Sequence, residues 1–192
     1  MPDATTPTTE PRIGRAMVAG QELFICDNMI DAQMVQHIGA IARTLNYLRT
    51  ERSRADTPVT AGSADISAQA LAGEPFFARL REIAAQMFPG EQLKDQRAYV
   101  NSSTYGDDYY IHRDTPVNTK HVTLLYYANL HWEAEWGGET IFYDENYDAQ
   151  VVVSPKPGRL VVSRSAILHR GTVPTRSCYE QRLTLAYKMW SE

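Results

Sequence analysis

After residue 92 the chain becomes a series of short β-rich runs separated by turn residues, and no other feature constrains its fold as much. The runs cover 95–104, 108–113, 121–130, 139–143, 149–153, 159–164 and 181–189. Short strands at this spacing predict an antiparallel sandwich or jelly roll. Period two sorts the side chains of each strand onto two faces. In the last run Arg182 and Thr184 share one face, with Leu183 and Leu185 on the other. In the run 121–130, Thr123, Leu125 and Tyr127 share a face.

The part before residue 92 has a different character. Glu22 to Cys26 reads as a short strand. Asp27-Asn28 offers a helix N-cap with Asp31 in the first turn. Ile30, Met34, Val35, Ile38, Ile41, Ala42 and Leu45 then recur at mostly three- and four-residue steps, the pattern of an amphipathic helix. Residues 50–66 are polar, contain Pro58 and Gly62, and read as a loop that can serve as a lid. A second helix is expected from Pro75 to Met87, with Phe76, Phe77, Leu80, Ile83 and Ala84 on one face. The expected organisation is a disordered Thr- and Pro-rich tail over 1–15 and a single domain over 16–192. That domain divides into a helical part, 16–91, and a jelly-roll core, 92–192, with the helices packed on one sheet: a mainly β fold with packed helices.

Composition excludes several function classes. The net charge is −4 with a pI near 5.7, so bulk electrostatics favour neither nucleic acid nor an anionic membrane. The local cluster Arg43, Arg49, Arg52 and Arg54 is diluted by Glu51 and Asp56 and reads as a solvated face. Cys26 and Cys178 form no C-x-x-C and suit a reducing, cytoplasmic setting. The first fifteen residues hold no apolar stretch of the kind a signal peptide carries, and no apolar run approaches membrane-spanning length.

The candidate chemistry lies in His112, Asp114 and His169. His112-Arg113-Asp114 places an imidazole and a carboxylate two residues apart, on one face of an extended segment. A neighbouring strand can bring His169 to the same point. Two histidines and one carboxylate on one face of an octahedron leave three positions open, the ligand set of non-haem Fe(II) oxygenases. His37, His121 and His131 lack this spacing and read as structural or surface residues.

The wider text resembles the prolyl-4-hydroxylase-like branch of the Fe(II)/2-oxoglutarate-dependent oxygenases. The matching segments are Tyr105-Gly106, the H-R-D segment, Leu124 to Asn129, Trp132, Trp136 to Thr140, Pro157 to Val162, His169 and Arg182 to Leu185. The resemblance covers roughly 20–190 and implies a double-stranded β-helix core, Fe(II), 2-oxoglutarate as cosubstrate and O2, with ascorbate as a candidate reductant. It implies that His112, Asp114 and His169 hold the metal, and it brings Tyr105 and Tyr127 to the cosubstrate. Arg182 suits the distal carboxylate of 2-oxoglutarate because its planar fork makes two parallel hydrogen bonds. Thr184, on the same face, and Thr123 can add hydroxyls. Arg176 is a second candidate for that anchor, since the stretch from His169 to Arg182 is longer than the family's hydroxylases have. With Asp114 present, hydroxylation is expected rather than the halogenation of relatives that lack the carboxylate.

Three readings compete at this point. The first is a hydroxylase acting on an unactivated C–H bond of a small molecule, free or carrier-bound, with a peptidyl, prolyl-type substrate as its variant. Arg49, Arg52 or Arg54 can meet an anionic group on such a substrate, and Tyr109, Tyr110, Arg113, Trp132 and Trp136 are candidate pocket residues. The second is a cupin-like metal-binding or sensor protein, which has no need of Arg182. The third, a zinc hydrolase, lacks H-E-x-x-H and an evident general base.

Overall fold

The computed structural model describes residues 10–191. Two strands come first, β1 (Arg12–Val18) and β2 (Gln21–Asp27), followed by helix α1 (Ala32–Thr44). Strands β3 (Leu48–Glu51) and β4 (Ala61–Asp65) lead to helices α2 (Ala68–Gly73) and α3 (Pro75–Met87). The remaining strands are β5 (Leu93–Ser103), β6 (Val122–Tyr127), β7 (Thr140–Tyr143), β8 (Ala149–Val153), β9 (Leu160–Arg164), β10 (Leu168–Gly171) and β11 (Arg182–Ser191). Eight of them form one sheet in the order β1-β2-β9-β6-β11-β5-β4-β3, and three form a second, β10-β7-β8. Within the large sheet the central pairings are antiparallel, as a jelly-roll core requires.

Alternation along each strand produces two cores. Val122, Leu124 and Tyr126 of β6 join Leu183, Leu185 and Tyr187 of β11 and Leu160 and Val162 of β9 against Phe76, Phe77, Leu80 and Ile83 of α3. The aromatic rings meet edge to face: Phe76 with Tyr126 at 5.0 Å and Phe77 with Tyr187 at 5.4 Å between centroids. The opposite face of the large sheet looks toward the small one. There Leu23, Tyr127, Phe142, Val153, Val161 and Ile167 form a smaller core. The same face also carries buried polar residues, Thr123, Ser163, Arg182 and Thr184, which line one cavity. A buried polar cluster between two sheets costs stability unless it is partnered, so this cavity is where function is to be sought.

The helices pack on the outer face of the large sheet as expected, but the part before residue 92 is not simply helical. It adds four strands, two at each edge of the large sheet. The expected tail lies mainly outside the described residues, and Arg12 to Arg15 of it belong to β1, paired with Phe24 to Asp27. Strand β4 falls within 50–66. Its sequence Ala61-Gly62-Ser63-Ala64 has poor strand propensity, but its small side chains are buried beside β5, and that pairing decides the structure. The N-cap of α1 is Asp31, whose carboxylate accepts from the Met34 N–H at 2.9 Å. Asp27 instead receives the guanidinium of Arg159 in a bidentate pair at 2.8 and 2.9 Å, locking the end of β2 to the turn before β9.

Candidate metal and cosubstrate site

Backbone pairing sets the distance between the two histidines. No strand spans 108–113; His112 forms an isolated bridge to His169 of β10, with the His112 N–H donating to the His169 carbonyl at 3.0 Å and the reverse bond at 2.9 Å. Each imidazole Nδ1 lies 2.9 Å from the carbonyl two residues earlier, Tyr110 for His112 and Ile167 for His169. A carbonyl only accepts, so both protons sit on Nδ1 and both Nε2 lone pairs are left for a ligand. The Asp114 N–H donates to the Ser165 carbonyl at 2.9 Å. Its carboxylate accepts from Thr123 Oγ1 at 2.8 Å and from Lys188 Nζ at 3.0 Å. One ligand atom from each of His112, Asp114 and His169 lies within 4.8 Å of the others, the one such group of three among the described residues. Burial, then the charge of His112, pulls the His169 imidazole down to about 4, so it is a neutral donor at neutral pH. Burial alone would raise the Asp114 carboxyl, but His112, His169 and Lys188 outweigh it and hold it ionised, well below the usual carboxylate range. Two imidazoles that present Nε2 and one carboxylate, gathered at one point on the cavity wall, fit a divalent iron.

Beside this cluster lies a cradle for a carboxylate. Arg182 is 2% exposed, and its fork is fixed on three sides. Nε donates to the Gly138 carbonyl at 2.6 Å, Nη1 to Thr184 Oγ1 at 3.3 Å and Nη2 to Thr140 Oγ1 at 3.0 Å. The Tyr127 ring lies 5.5 Å from the guanidinium carbon. Two glycines make room for it. Gly138 has φ +80, and a Cβ there would sit 3.1 Å from Arg182 Cδ and 3.0 Å from Trp132 Cζ2. A Cβ on Gly171 would press on Arg182 Nη1 at 3.3 Å. No carboxylate of the protein is paired with this buried guanidinium among the described residues. The same cavity is lined by Tyr109, whose buried hydroxyl has no hydrogen-bond partner, and by Asn101, whose side-chain oxygen also has none. A buried unpaired cation facing buried orphan polar atoms fits the distal carboxylate of 2-oxoglutarate.

A larger chamber of about 750 Å³ opens on the other side of the ligand cluster. Glu51, Ser53, Tyr99, His112 and Asp114 border both cavities, so the two meet at the metal ligands. Thr50 to Ser53 line this chamber, and the strap that carries them, residues 49–60, is tied down. Arg49 Nη2 donates to Asp107 at 2.9 Å, Arg54 Nη1 to the Ile111 carbonyl at 2.7 Å, and the Tyr110 N–H to Ser53 Oγ at 2.9 Å. Burial pushes the Glu51 carboxyl up, opposed by Lys188, Arg97 and His112.

Residues 99–190 match the family model described as the 2OG-Fe(II) oxygenase superfamily. The chain is a 2OG-Fe(II) oxygenase. Its fold is that of several solved structures. A prolyl-4-hydroxylase from Pseudomonas putida aligns with TM-score 0.64 at 22% identity, over 88% of this chain and 92% of that one. A prolyl hydroxylase from Trichoplax adhaerens, solved with a hypoxia-inducible-factor peptide fragment, aligns with TM-score 0.66 at 17% identity, over 88% and 82%. The non-haem α-ketoglutarate-dependent epimerase SnoN from nogalamycin biosynthesis aligns with TM-score 0.63 at 15% identity, over 88% and 78%. No curated protein sequence matches the chain. Oxygenases of this family use Fe(II), 2-oxoglutarate and O2, and SnoN has been seen with Fe3+ and α-ketoglutarate. No helix among the described residues is long and apolar enough to cross a membrane.

The oxygenase brings some of the expected residues together and displaces others. His112, Asp114, His169, Arg182, Thr184 and Thr123 all line the cavity. The Thr123 hydroxyl donates to Asp114 Oδ2 at 2.8 Å, which places it beside the carboxylate. Tyr127 lies behind the cradle, and its hydroxyl is within 2.7 Å of Thr140 Oγ1 and donates to the Val153 carbonyl at 3.1 Å. It supports Thr140 instead of facing the cosubstrate. Tyr105 is 59% exposed and does not line the cavity, whereas Tyr109 does. Arg176 is exposed and lines neither cavity. Trp132 and Trp136 pack edge to face at 5.4 Å, and Trp132 Nε1 donates to the Gly137 carbonyl at 2.9 Å, so they brace the Gly-Gly turn. Sequence reasoning missed Lys188 as a partner of Asp114, although period two puts it on the face of Arg182 and Thr184. Replacing Thr123 by valine keeps the shape and removes the hydroxyl. Metal titration of the apo protein is expected to show an affinity roughly 10–100-fold weaker. An unchanged affinity would show that Asp114 needs no help from Thr123.

Proposed function

We propose that this oxygenase hydroxylates an unactivated C–H bond of a small molecule, with His112, Asp114 and His169 holding Fe(II) and Arg182 with Thr184 holding 2-oxoglutarate. The observation that carries the reading is the meeting of two cavities at the ligand cluster, a polar cradle on one side and a chamber of about 750 Å³ on the other. A chamber of that size suits a compact organic molecule. When bound, Fe(II) supplies the activation of O2 that couples conversion of 2-oxoglutarate to succinate and CO2 with oxidation of the substrate.

The protein's own contribution is positioning. The backbone bridge and the two Nδ1–carbonyl bonds present both Nε2 atoms to one point. Thr123 and Lys188 hold the Asp114 carboxylate in a fixed orientation, and Lys188 Nζ at 3.0 Å balances its charge in a buried place. Arg182 gives the cosubstrate one orientation through a fork that is already ordered, so little side-chain entropy is lost on binding. The strap walls the chamber and limits the entry of water.

A peptidyl substrate is the second reading. It draws on the likeness in fold to two prolyl hydroxylases, one of them solved with a peptide fragment. The test of both is succinate release with Fe(II), 2-oxoglutarate and O2 across a panel of small metabolites and a panel of proline-containing peptides, with mass spectrometry of the products. The expected result is stimulation by a small molecule that gains one oxygen, also in high chloride, because Asp114 occupies the place a halide would need. Stimulation by peptides alone would move the protein to the second reading. A chlorinated product would overturn the role given to Asp114.

A further inference from the structure

The chamber wall carries several charged side chains, and nearly all are matched. Asp65 accepts from Arg97 at 2.7 Å, Asp114 from Lys188 at 3.0 Å, and Arg113 pairs with Glu145 at 2.5 Å. Glu51 and Arg52 are the exceptions: neither side chain has a hydrogen bond or ion pair within the described residues, although Lys188, Arg97 and His112 act on the Glu51 carboxylate from a distance. Glu51 is the last residue of β3, and it borders both cavities, so its carboxylate lies where the chamber meets the metal ligands. It is only partly exposed, whereas Arg52, the next residue, is exposed and lines the chamber alone.

A partly buried carboxylate without a donor is costly to keep, and a surface role does not explain one at the inner end of a cavity. The strap bonds hold its position: the Thr60 N–H donates to the Glu51 carbonyl at 3.1 Å, and Ser53 receives the Tyr110 N–H two residues on. The backbone that carries the group is therefore held in place, with the ligand cluster to one side and Arg52 further out.

We propose that Glu51 is a substrate-binding residue that accepts a hydrogen bond from a protonated amine, and that the substrate is a compact zwitterion whose anionic group meets Arg52. This deepens the proposed small-molecule reading and rests on it. The ammonium supplies the donors Glu51 lacks, and a charge-assisted hydrogen bond in a site shielded from water is both strong and directional. Two opposite charges on the wall fix the substrate at two points. The C–H bond offered to the metal centre then lies near the amine, because Glu51 is the inner of the two anchors.

The probes are L-α-amino acids, the same compounds N-acetylated, and the corresponding amines without the carboxylate. Binding is read anaerobically from the visible absorption of the Fe(II)–2-oxoglutarate complex, and turnover from succinate release. Free amino acids are expected to perturb the spectrum and stimulate turnover, N-acetyl forms to do neither. Glu51→Gln should raise the apparent constant for the active amino acid roughly ten- to a hundredfold, leaving metal and 2-oxoglutarate affinity in place. Arg52→Ala should weaken amino acids but not the carboxylate-free amines. Glu51→Asp, which keeps the charge, should recover part of the loss, separating binding from misfolding. Equal binding of N-acetyl and free forms, no binding by any amine, or an unmoved constant in Glu51→Gln would each overturn the proposal. Turnover of a neutral, anionic or peptide substrate would do the same while leaving the oxygenase reading intact; absence of metal and 2-oxoglutarate binding would instead strike at the site itself.

Discussion

Alanine at His112 or at His169 is expected to abolish succinate formation and to weaken metal binding by more than the roughly 10–100-fold that loss of a supporting hydrogen bond costs. The geometry sets this size. On the proposed reading the centre takes three ligand atoms that lie within 4.8 Å of one another, so removing one takes a third of those donors. The His112–His169 pairing runs through backbone atoms, so the bridge at 3.0 and 2.9 Å survives either substitution and the remaining histidine keeps its place. The loss can therefore be assigned to the missing imidazole. Anaerobic metal titration together with a succinate assay checks it. Full metal affinity and activity in the double variant would show that the ion sits elsewhere. Asp114→Gly is expected to lose hydroxylation as well, with no halogenated product following automatically, since retention of a halide needs surroundings that this site does not provide by vacancy alone.

The second large effect concerns Arg182. Arg182→Ala should raise the apparent constant for 2-oxoglutarate by roughly ten- to a hundredfold, the equivalent of about 1.5–3 kcal/mol for a charge-assisted contact, and affect substrate binding less. The guanidinium is 2% exposed and also satisfies the Gly138 carbonyl and two threonine hydroxyls, so part of the cost will appear as lower thermal stability. Arg182→Lys separates the two effects. It retains a charge but not the fork, so the constant should rise although the positive charge remains. A rise seen with Arg176→Ala and absent with Arg182→Ala would move the anchor to the exposed loop.

Much of this was legible in the sequence because strands announce which residues share a face. The H-x-D spacing with a distant histidine, the parity of Arg182 and Thr184, and the hydrophobic stripe of α3 each depend on local periodicity, and each reads directly. What was not legible depends on neighbours far along the chain. β4 is built of Ala, Gly and Ser and takes strand form from its pairing with β5. Tyr105 and Tyr109 differ by four residues in a segment without regular structure, and only the path of the turn sends one to solvent and the other into the cavity. Tyr127 lies on the correct face, but Thr140, contributed by the opposite sheet, stands in front of it. The Gly137-Gly138 pair reads as a turn; that Gly138 makes room for a guanidinium carried forty-four residues later is a tertiary fact.

The ligands straddle the gap between the sheets. His169 belongs to the three-stranded sheet, while Asp114 is fastened to the eight-stranded one through Thr123 of β6 and Lys188 of β11. An ion held by both is a cross-link across the open end of the sandwich, in the way a clasp joins two leaves. Its binding energy adds to the cohesion of the fold by mass action. Metal supply and the cohesion of the mouth are thereby linked: removal of the ion is expected to lower thermal stability together with activity, which melting curves with and without Fe(II) check.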